Sequence, residues 1–201
     1  PTLPPMNLVD LPGTVQSPPE LKELTHSLVR QYIQQHDVCS TFLAVMKAED
    51  GPRNSSAVST VVEHRASART IGVFTHCDKL DEEDYDRVRN WLLHPEGGHD
   101  HVPLEPYGYV ATMNKDLRPQ GDETNHDRLM RQARKEEQWF RDEGFAAELD
   151  AQLPDGTPNP LVGTRALVNK INQMYSTHVF ETFVPMTVRR LACELRDSEE
   201  Q

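Results

Sequence analysis

The segment Thr70–Thr75 has the sequence Thr-Ile-Gly-Val-Phe-Thr, and a polar stretch that contains Asp78 follows it directly. Apolar and β-favouring residues run through the segment without polar alternation, which is typical of a parallel strand covered by helices on both faces. Residues 41–46 and residues 107–113 have the same character, and residues 6–9 form a shorter apolar stretch beside prolines. The sequence therefore predicts four strands, the first being the end of one that begins upstream or is frayed.

Helical patterns separate these predicted strands. They cover Pro19–Gln35, residues 55–66 and residues 81–93, the last with an acidic first turn. Because strands and helices alternate, the expected fold is α/β, with a mostly parallel sheet flanked by helices in three layers. The apolar side chains of the first helical pattern lie near one stripe, formed by Leu21, Leu24, Leu28 and Ile33.

Beyond residue 113 the pattern is helical only. Residues 122–142 are highly charged, with Met130, Trp139 and Phe140 as the expected apolar anchors, and the charged run at residues 131–137 is expected to face solvent. A further amphipathic helix is predicted from the apolar spacing of Leu167, Ile171, Met174 and Tyr175.

Pro185 is expected to interrupt this helical run, because proline removes a backbone donor and clashes with the preceding turn. A final apolar stripe follows the proline, formed by Val188, Leu191, Ala192 and Leu195. The sequence thus predicts an α/β domain whose C-terminal helices enter a helical bundle.

Composition excludes several classes of protein. The chain has 201 residues and a formal net charge of −11, which repels phosphate backbones and anionic lipid. No apolar stretch approaches the roughly 20 residues that span a bilayer, and no basic region followed by an apolar one opens the chain. Three cysteines without close pairing argue against a disulfide framework or a zinc knuckle. We expect a soluble, cytoplasmic protein that neither binds nucleic acid nor inserts into a membrane.

Asp10 and Gly13 follow the first predicted strand. Ligands of open α/β sheets bind where strands end and loops begin. A carboxylate there can hold a Mg²⁺-bound water, and a glycine allows a backbone N–H to approach a phosphate closely. The alternative is an ordinary turn after a strand.

Polar residues also follow the two later predicted strands. After Thr70–Thr75, the carboxylate of Asp78 can accept hydrogen bonds from both the ring N–H and the exocyclic amine of guanine, a pair of donors that adenine lacks. The alternative is that Asp78 and Asp81 merely cap the next helix. Asn114 and Lys115 follow the last strand, so their side chains are expected at the same edge of the sheet.

These residues resemble motifs of the dynamin superfamily of large GTPases. Residues 8–13 look like its phosphate-sensing motif, residues 75–78 like its guanine-specificity motif, and residues 108–115 like its last base-contacting motif. Later landmarks are similar as well, including residues 137–140, Gly163 with Thr164, Asn172 with Gln173, and Pro185. The resemblance covers roughly residues 8–197.

The resemblance implies a partial dynamin-type GTPase domain at residues 1–184 and the start of a bundle or stalk helix at residues 185–201, with Pro185 as the hinge. It implies GTP with Mg²⁺ as the ligand, a possible homotypic dimer of GTPase domains, and, in the intact protein, GTP hydrolysis coupled to membrane remodelling or self-assembly. It assigns phosphate and Mg²⁺ sensing to Asp10 and Gly13. It assigns guanine binding to Thr75, His76, Asp78, Asp81, Asn114 and Lys115.

Two departures from the family pattern limit this expectation. His76 stands where the family has a lysine whose stem packs on the base, and an imidazole could stack there instead. No stretch reads Gly-x-x-x-x-Gly-Lys-Ser/Thr, and the switch threonine is missing, because only nine residues precede Asp10. Since phosphoryl transfer depends on positioning and charge stabilisation, we expect this chain alone to bind and hydrolyse GTP poorly and to contain no catalytic residue.

Two other functions remain open from the sequence. The first is a non-catalytic remnant that acts as an interaction module. The second is a metal-dependent phosphohydrolase with Asp10 as nucleophile, which is disfavoured because no second Asp stands two residues later. A transition-metal site is a weaker possibility than a solvated loop for the cluster of His94, Glu96, His99, Asp100 and His101.

Overall fold

The computed structural model describes residues 7–11, 18–35, 40–94, 102–113, 118, 120–142, 145, 149 and 159–199. The strands in this part of the chain are β1 (Phe42–Lys47), β2 (Thr70–Thr75) and β3 (Tyr109–Ala111). The helices are α1 (Pro19–Gln35), α2 (Gly51–Asn54), α3 (Ser56–Glu63), α4 (Glu82–Leu93), α5 (Asn125–Asp142), α6 (Thr164–His178) and α7 (Val184–Glu199). No helix among these described residues is long and apolar enough to cross a membrane.

The three strands form one parallel sheet in the order β1-β2-β3. Phe42 pairs with Thr70 at one end of β1 and Lys47 with Thr75 at the other, while Gly72 pairs with Tyr109. Helices α2 and α3 contact β1, and α4 contacts β3. The predicted α/β class, with a parallel sheet flanked by helices, is therefore confirmed.

Strand β2 is buried, as its continuous apolar sequence predicted. Its first five residues are buried. The Phe74 ring stacks on Trp91 of α4 at a centroid distance of 5.5 Å and on Tyr109 of β3 at 5.2 Å. Gly72 is required beside this stack, because a Cβ atom there would lie 2.1 Å from Cδ1 of Tyr109. The apolar sequence of β2 thus suits a strand that pairs with another strand on each side and is covered by helices.

The strand predicted at residues 6–9 is wrong for the part that the structure describes. Residues 7–11 have no regular structure, and the side chains of Leu8 and Val9 are 84% and 49% exposed. A strand gains stability only when its backbone pairs and its side chains are buried, and neither condition is met here. Asp10 therefore does not lie at the end of a strand.

Strand β3 is shorter than the predicted residues 107–113. A turn at residues 105–107 and a positive φ of 62° at Gly108 delay its beginning. After β3, the N–H of Thr112 still donates to the carbonyl of Phe74 at 2.8 Å, so the chain stays attached to β2. The difference therefore lies mainly at the start of the strand.

The predicted helices form, but two of their apolar stripes do not face the core. Helix α1 has the predicted bounds, yet Leu21, Leu24 and Leu28 are exposed while Thr25 and Ile33 are buried. The stripe of α7 at Val188, Leu191 and Leu195 is exposed as well. Amphipathic spacing predicts a helix, whereas burial requires a surface that covers the stripe, and the described residues do not supply one.

Helix α5 differs from expectation in two positions. Met130, an expected anchor, is exposed, whereas Phe140 is buried as expected. Within the charged run expected to face solvent, Glu136 is only 3% exposed. The carboxylate of Glu136 is buried because it serves two backbone donors, described below.

The expected interruption at Pro185 is confirmed in part: a π-helical turn at Val179–Phe183 breaks the α-helical pattern directly before the proline, while helical structure continues from α6 into α7. Pro185 is the second residue of α7 and has no N–H to donate to the turn before it. The N–H of Val184 bonds to the carbonyl of Val179, five residues earlier. The wider turn accommodates the proline ring that would otherwise clash with the preceding turn.

Backbone contacts divide the described chain into two compact units, one of Pro1–Thr41 with Asn172–Gln201 and one of Phe42–Ile171. The second unit contains the sheet and helices α2 to α5. The domain boundary expected at residues 184 and 185 stays a prediction.

Candidate functional site

The carboxyl ends of the three parallel strands meet at one edge of the sheet. β1 ends at Lys47, β2 at Thr75 and β3 at Ala111, and Lys47 pairs with Thr75 in register. Ligands of open parallel sheets bind outside this edge. The residues that follow the strands are therefore the first place to look for a site.

Thr75 joins two of these strand ends. Its hydroxyl donates to the carbonyl of Met46 at 3.0 Å, and its own carbonyl accepts from the N–H of Ala48 at 2.9 Å. The hydroxyl proton is thus used within the protein. Thr75 positions the edge of the sheet and can offer a ligand only its hydroxyl oxygen.

His76 has a left-handed backbone, with φ 59° and ψ 32°. Such a conformation costs a non-glycine residue about 1 kcal/mol or more and is concentrated at functional sites. Nδ1 lies 3.1 Å from the Thr75 hydroxyl oxygen. Because that hydroxyl donates to Met46, Nδ1 must be the protonated partner. The exposed imidazole therefore presents Nε2, which is an acceptor when the ring is neutral.

Cys77 anchors this loop to the core. The thiol is buried, its Sγ lies 4.0 Å from the carbonyl of Phe74, and burial raises its pKa to about 12. A thiol with such a pKa is protonated at neutral pH and is a poor nucleophile. Cys77 is therefore a buried side chain that packs beneath the loop.

Asp78 is half-buried beside this anchor, on the 3₁₀ turn Cys77–Lys79. Within the described part of the chain, its carboxylate makes no hydrogen bond or ion pair. Asp81 occupies the N-cap position of α4, but its side chain makes no capping hydrogen bond. The capping alternative therefore holds for the position of Asp81 but is not supported by a side-chain hydrogen bond. Among the described residues, Asp78 is thus a half-buried carboxylate with no hydrogen-bond partner.

The end of β3 is held by a residue that the sequence did not reveal. One oxygen of Glu136 accepts the N–H of Met113 at 2.8 Å, and the other accepts the N–H of Thr164 at 2.7 Å. Thr164 is the first residue of α6, so the positive end of the helix dipole also stabilises the carboxylate. The sequence contained one indication that Glu136 is buried: Glu136 and Phe140 are four residues apart, which places both on one face of the helix.

Lys170 supports the beginning of β3. Its Nζ donates to the carbonyls of Tyr107 at 2.6 Å and Tyr109 at 3.3 Å. Burial lowers the pKa of this amine to about 8. The amine is committed to the backbone of its own chain and is not directed at a ligand.

The remaining predicted site residues are not brought to this edge by the described structure. Asp10 is exposed in residues 7–11, which have no regular structure, and it belongs to the other compact unit. Gly13, Asn114 and Lys115 lie outside the described residues, although Met113 directly precedes the last two. The structure thus unites Thr75, His76, Asp78 and Asp81 in one loop.

The predicted metal cluster is described only at His94. Where residues are described, no group of three or more His, Cys, Asp or Glu side chains could hold a metal ion. The metal site stays a prediction for Glu96, His99, Asp100 and His101, which lie outside the described residues.

Chemically, the loop after β2 offers a carboxylate for ligand N–H donors and an exposed imidazole beside it. Two carboxylate oxygens can bind adjacent N–H groups at once, which fits a flat heterocycle or an amidine-like group. No protein-family model matches the chain, and no curated protein matches it. The function must therefore be argued from these residues and from the resemblance stated above.

Proposed function

We propose that this chain is part of a dynamin-like GTPase and that it recognises guanine through Asp78. The single observation that supports the proposal best is the half-buried carboxylate of Asp78, which follows the carboxyl end of β2 next to the buried Cys77 and has no hydrogen-bond partner among the described residues. In this proposal the intact protein hydrolyses GTP and couples the reaction to membrane remodelling or self-assembly. We also propose that the three described strands are part of a larger sheet of the P-loop type.

Recognition of guanine follows from hydrogen-bond complementarity. The two oxygens of Asp78 accept the ring N–H and the exocyclic amine of the base. Adenine presents an acceptor nitrogen to the same carboxylate, so the pairing is lost and the charge is left without a donor. A site built around such a pair of hydrogen bonds rejects the wrong partner strongly, because its own polar group then stays unpaired.

Neighbouring residues assist in binding the base. The imidazole of His76 replaces the family's lysine stem as a flat surface on which the base stacks, and Nδ1–H donation to Thr75 fixes the ring. Asp81, Asn114 and Lys115 complete the guanine contacts that the resemblance assigns. Thr75 contributes mainly by joining the ends of β1 and β2.

The described residues fit the base but do not fit Mg²⁺ and the phosphates. The sequence has no Gly-x-x-x-x-Gly-Lys-Ser/Thr loop, and Asp10 is exposed and away from any strand end. The groups that dominate triphosphate affinity are therefore missing from this chain. We derive no hydrolytic step from these residues and expect the isolated chain to bind GTP weakly.

A second candidate function is a non-catalytic interaction module. Leu43 and Val45 of β1 are 37% and 54% exposed, and Leu191 and Leu195 of α7 are exposed in the other unit. Apolar side chains exposed in this way on a strand and on a helix can bind a partner protein. This candidate predicts the same fold and no preference for guanine.

Titration of the purified chain separates the two candidates. We expect a fluorescent GTP analogue with Mg²⁺ to bind no more tightly than about 0.1 mM, yet more tightly than the matching ATP analogue. Asp78→Ala should abolish this preference. Glu83→Gln is the control, because it removes an exposed carboxylate from the first turn of α4 without touching the loop.

Three results would contradict the proposed function or its limits. Equal affinity of the unmodified chain for both analogues would support the interaction module instead. An unchanged preference in Asp78→Ala would mean that the base site lies elsewhere. Micromolar binding with guanine preference would rule out the non-catalytic interaction module. It would also show that the missing phosphate loop contributes less to GTP affinity than proposed.

A further inference from the structure

Helix α7 presents a row of exposed apolar side chains. The row has spacings of four, three and four residues, and its members are 42% to 63% exposed: Val184, Val188, Leu191 and Leu195. Residues at these spacings lie on one face of an α-helix. We call these four residues the α7 seam. At a rise of about 1.5 Å per residue, the seam is about 16 Å long.

Phe180 extends the seam beyond the N-terminal end of α7. It lies four residues before Val184, within the π-helical turn Val179–Phe183, and it is 69% exposed. A π-helical turn contains more than four residues, so Phe180 remains nearly in line with Val184. Val179, by contrast, is buried. The helix therefore packs within its own unit through a different face, and the described residues leave the seam uncovered.

The seam has the repeat of a helix that pairs with one other helix. Apolar residues at alternating spacings of three and four form the narrow stripe of a coiled-coil pair, whereas a helix on a broad core needs a wider stripe. The positions beside the seam are Pro185, Thr187, Ala192 and Glu194, of which only Glu194 is charged. Glu194 is paired with Arg190 of its own helix at 3.7 Å. Covering the seam therefore buries no unpaired charge.

The order of side chains along the seam fits a second copy of the same helix. Two valines precede two leucines, so one end of the seam is small and the other is large. In an antiparallel pair, Val184 opposes Leu195 of the second copy, and Val188 opposes Leu191 of the second copy. Each of the four layers then combines a small and a large side chain, which keeps the two helices at a constant distance. A parallel pair would give two valine layers and two leucine layers of unequal width.

The residues beside the seam agree with the antiparallel arrangement. It places Thr187 beside Glu194 of the second copy, and Pro185 beside Ala192 of the second copy, so no like charges meet. The dipoles of the two helices are also opposed, which is favourable. A surface that is complementary to itself in this way is what a two-fold dimer requires.

The area of the seam is sufficient for a weak dimer. A fully exposed leucine-sized side chain offers about 100 Å² of apolar surface, and a phenylalanine about 200 Å². At the observed exposures, the seam and Phe180 of two copies would together bury about 700 Å² of apolar surface. Because the interface of a homodimer is about 65% apolar, the complete interface would bury about 1,100 Å², at the lower end of specific interfaces.

We infer that the α7 seam is an interface between two copies of this chain, which pair as an antiparallel two-fold dimer. The seam and the loop that contains Asp78 belong to different compact units. The inference therefore goes beyond the proposed function and does not depend on guanine binding. It also differs from the dimer of GTPase domains that the resemblance implies, because the seam lies outside the unit that contains the sheet.

Sedimentation equilibrium of the full chain tests the interface. At about 0.15 M salt, which screens the net charge of −11, we expect a dimer with a Kd of about 0.1 mM. Leu191→Glu puts a charge into a central layer and should raise the Kd about tenfold or more. Met186→Glu is the matched control, because it adds the same charge at an exposed position on the opposite face of α7. It should change the Kd less than about twofold.

A second variant guards against effects on folding and on net charge. Leu195→Gln adds no charge and should also weaken the dimer. Because the replaced residues are exposed, all variants should keep the helix content of the unmodified chain, as measured by far-UV circular dichroism.

Cysteine substitutions determine the orientation of the pair. Cys39→Ser and Cys193→Ser leave only the buried Cys77, and Val184→Cys or Leu195→Cys is then added to this background. The two proteins are oxidised separately and as a mixture. Antiparallel pairing brings positions 184 and 195 of different copies within the Cα distance of about 4.4 to 6.8 Å that a disulfide needs, while equivalent positions stay about 16 Å apart. We therefore expect a disulfide-linked dimer in the mixture only.

Three results would overturn the inference. A chain that stays monomeric at about 0.5 mM, several times the expected Kd, would show that the seam binds a different protein or nothing. A Kd that rises equally in Leu191→Glu and Met186→Glu, or in neither, would place the contact elsewhere on the chain. A disulfide-linked dimer of either cysteine variant alone would show that the helices do not pair in the antiparallel orientation.

Discussion

Gly72 lies in the segment that decides the fold, and replacing it with alanine should destabilise the sheet unit severely. The new Cβ atom would lie 2.1 Å from Cδ1 and 2.3 Å from Cε1 of Tyr109. Real Cβ contacts lie beyond 3.0 Å, so the ring would have to move by about 1 Å or more. The backbone of Gly72 needs no special φ, so the effect should come from the ring contact.

The structure gives the Tyr109 ring no room to move. The residue is 1% exposed, its ring stacks on Phe74, and its hydroxyl donates to the carbonyl of Val102. Phe74 is itself held by Trp91. Overpacking a core of this kind costs about 1 to 3 kcal/mol, and loss of an aromatic contact adds about 1 kcal/mol. We therefore expect Gly72→Ala to lower the free energy of unfolding by about 3 kcal/mol.

Urea denaturation of four proteins tests this value: the unmodified chain, Gly72→Ala, Tyr109→Leu and the double variant. Tyr109→Leu removes the clashing ring at its own cost in buried area, so Gly72→Ala should cost little in its presence. The double-mutant cycle should show a coupling of about 2 kcal/mol or more. A loss below about 0.5 kcal/mol in Gly72→Ala, or additive effects in the cycle, would refute the packing described here.

Two predictions concern groups with shifted pKa values. Burial lowers the pKa of Lys170 to about 8 in the folded chain, from 10.5 for an ordinary lysine. Between these two pH values the unfolded chain binds more protons than the folded chain. The free energy of unfolding should therefore rise with pH over this range. In urea denaturation, the free energy of unfolding of the unmodified chain should rise by about 2 kcal/mol more than that of Lys170→Met between pH 8 and pH 10. The same dependence on pH in both proteins would contradict the burial of this amine. Cys77, with a pKa raised to about 12, should resist iodoacetamide at pH 8 while the exposed Cys193 reacts, as read by peptide mass spectrometry. Reaction of both thiols at similar rates in the folded chain would show that Cys77 is accessible, and addition of urea should expose it.

Much of the fold was predictable because its signals are local. A continuous apolar run with β-branched residues can be satisfied only by a strand buried on both faces, and β2 has the predicted bounds at Thr70–Thr75. Helix α1 likewise spans the predicted Pro19–Gln35. These elements depend on periodicity and composition, which a single sequence displays directly.

The errors arose where the outcome depends on a partner surface. Residues 6–9 have strand-like composition, yet Asn7, Leu8 and Val9 remain outside the sheet because no neighbouring backbone pairs with them in the described chain. The leucine stripe of α1 shows correct helical spacing but is exposed. Local sequence specifies which conformation a segment favours, whereas burial requires knowledge of what packs against it.

The sequence by itself determined the class of fold, the buried strand at Thr70–Thr75 and the proposal that Asp78 selects guanine, because strand periodicity and carboxylate chemistry are properties of short segments. The tertiary structure decided which polar groups are free and which are used. Asp78 has no hydrogen-bond partner among the described residues, whereas Glu136, in a run expected to face solvent, is buried between Met113 and Thr164. These donors lie 23 and 28 residues away in sequence, so only the folded chain brings them to that carboxylate.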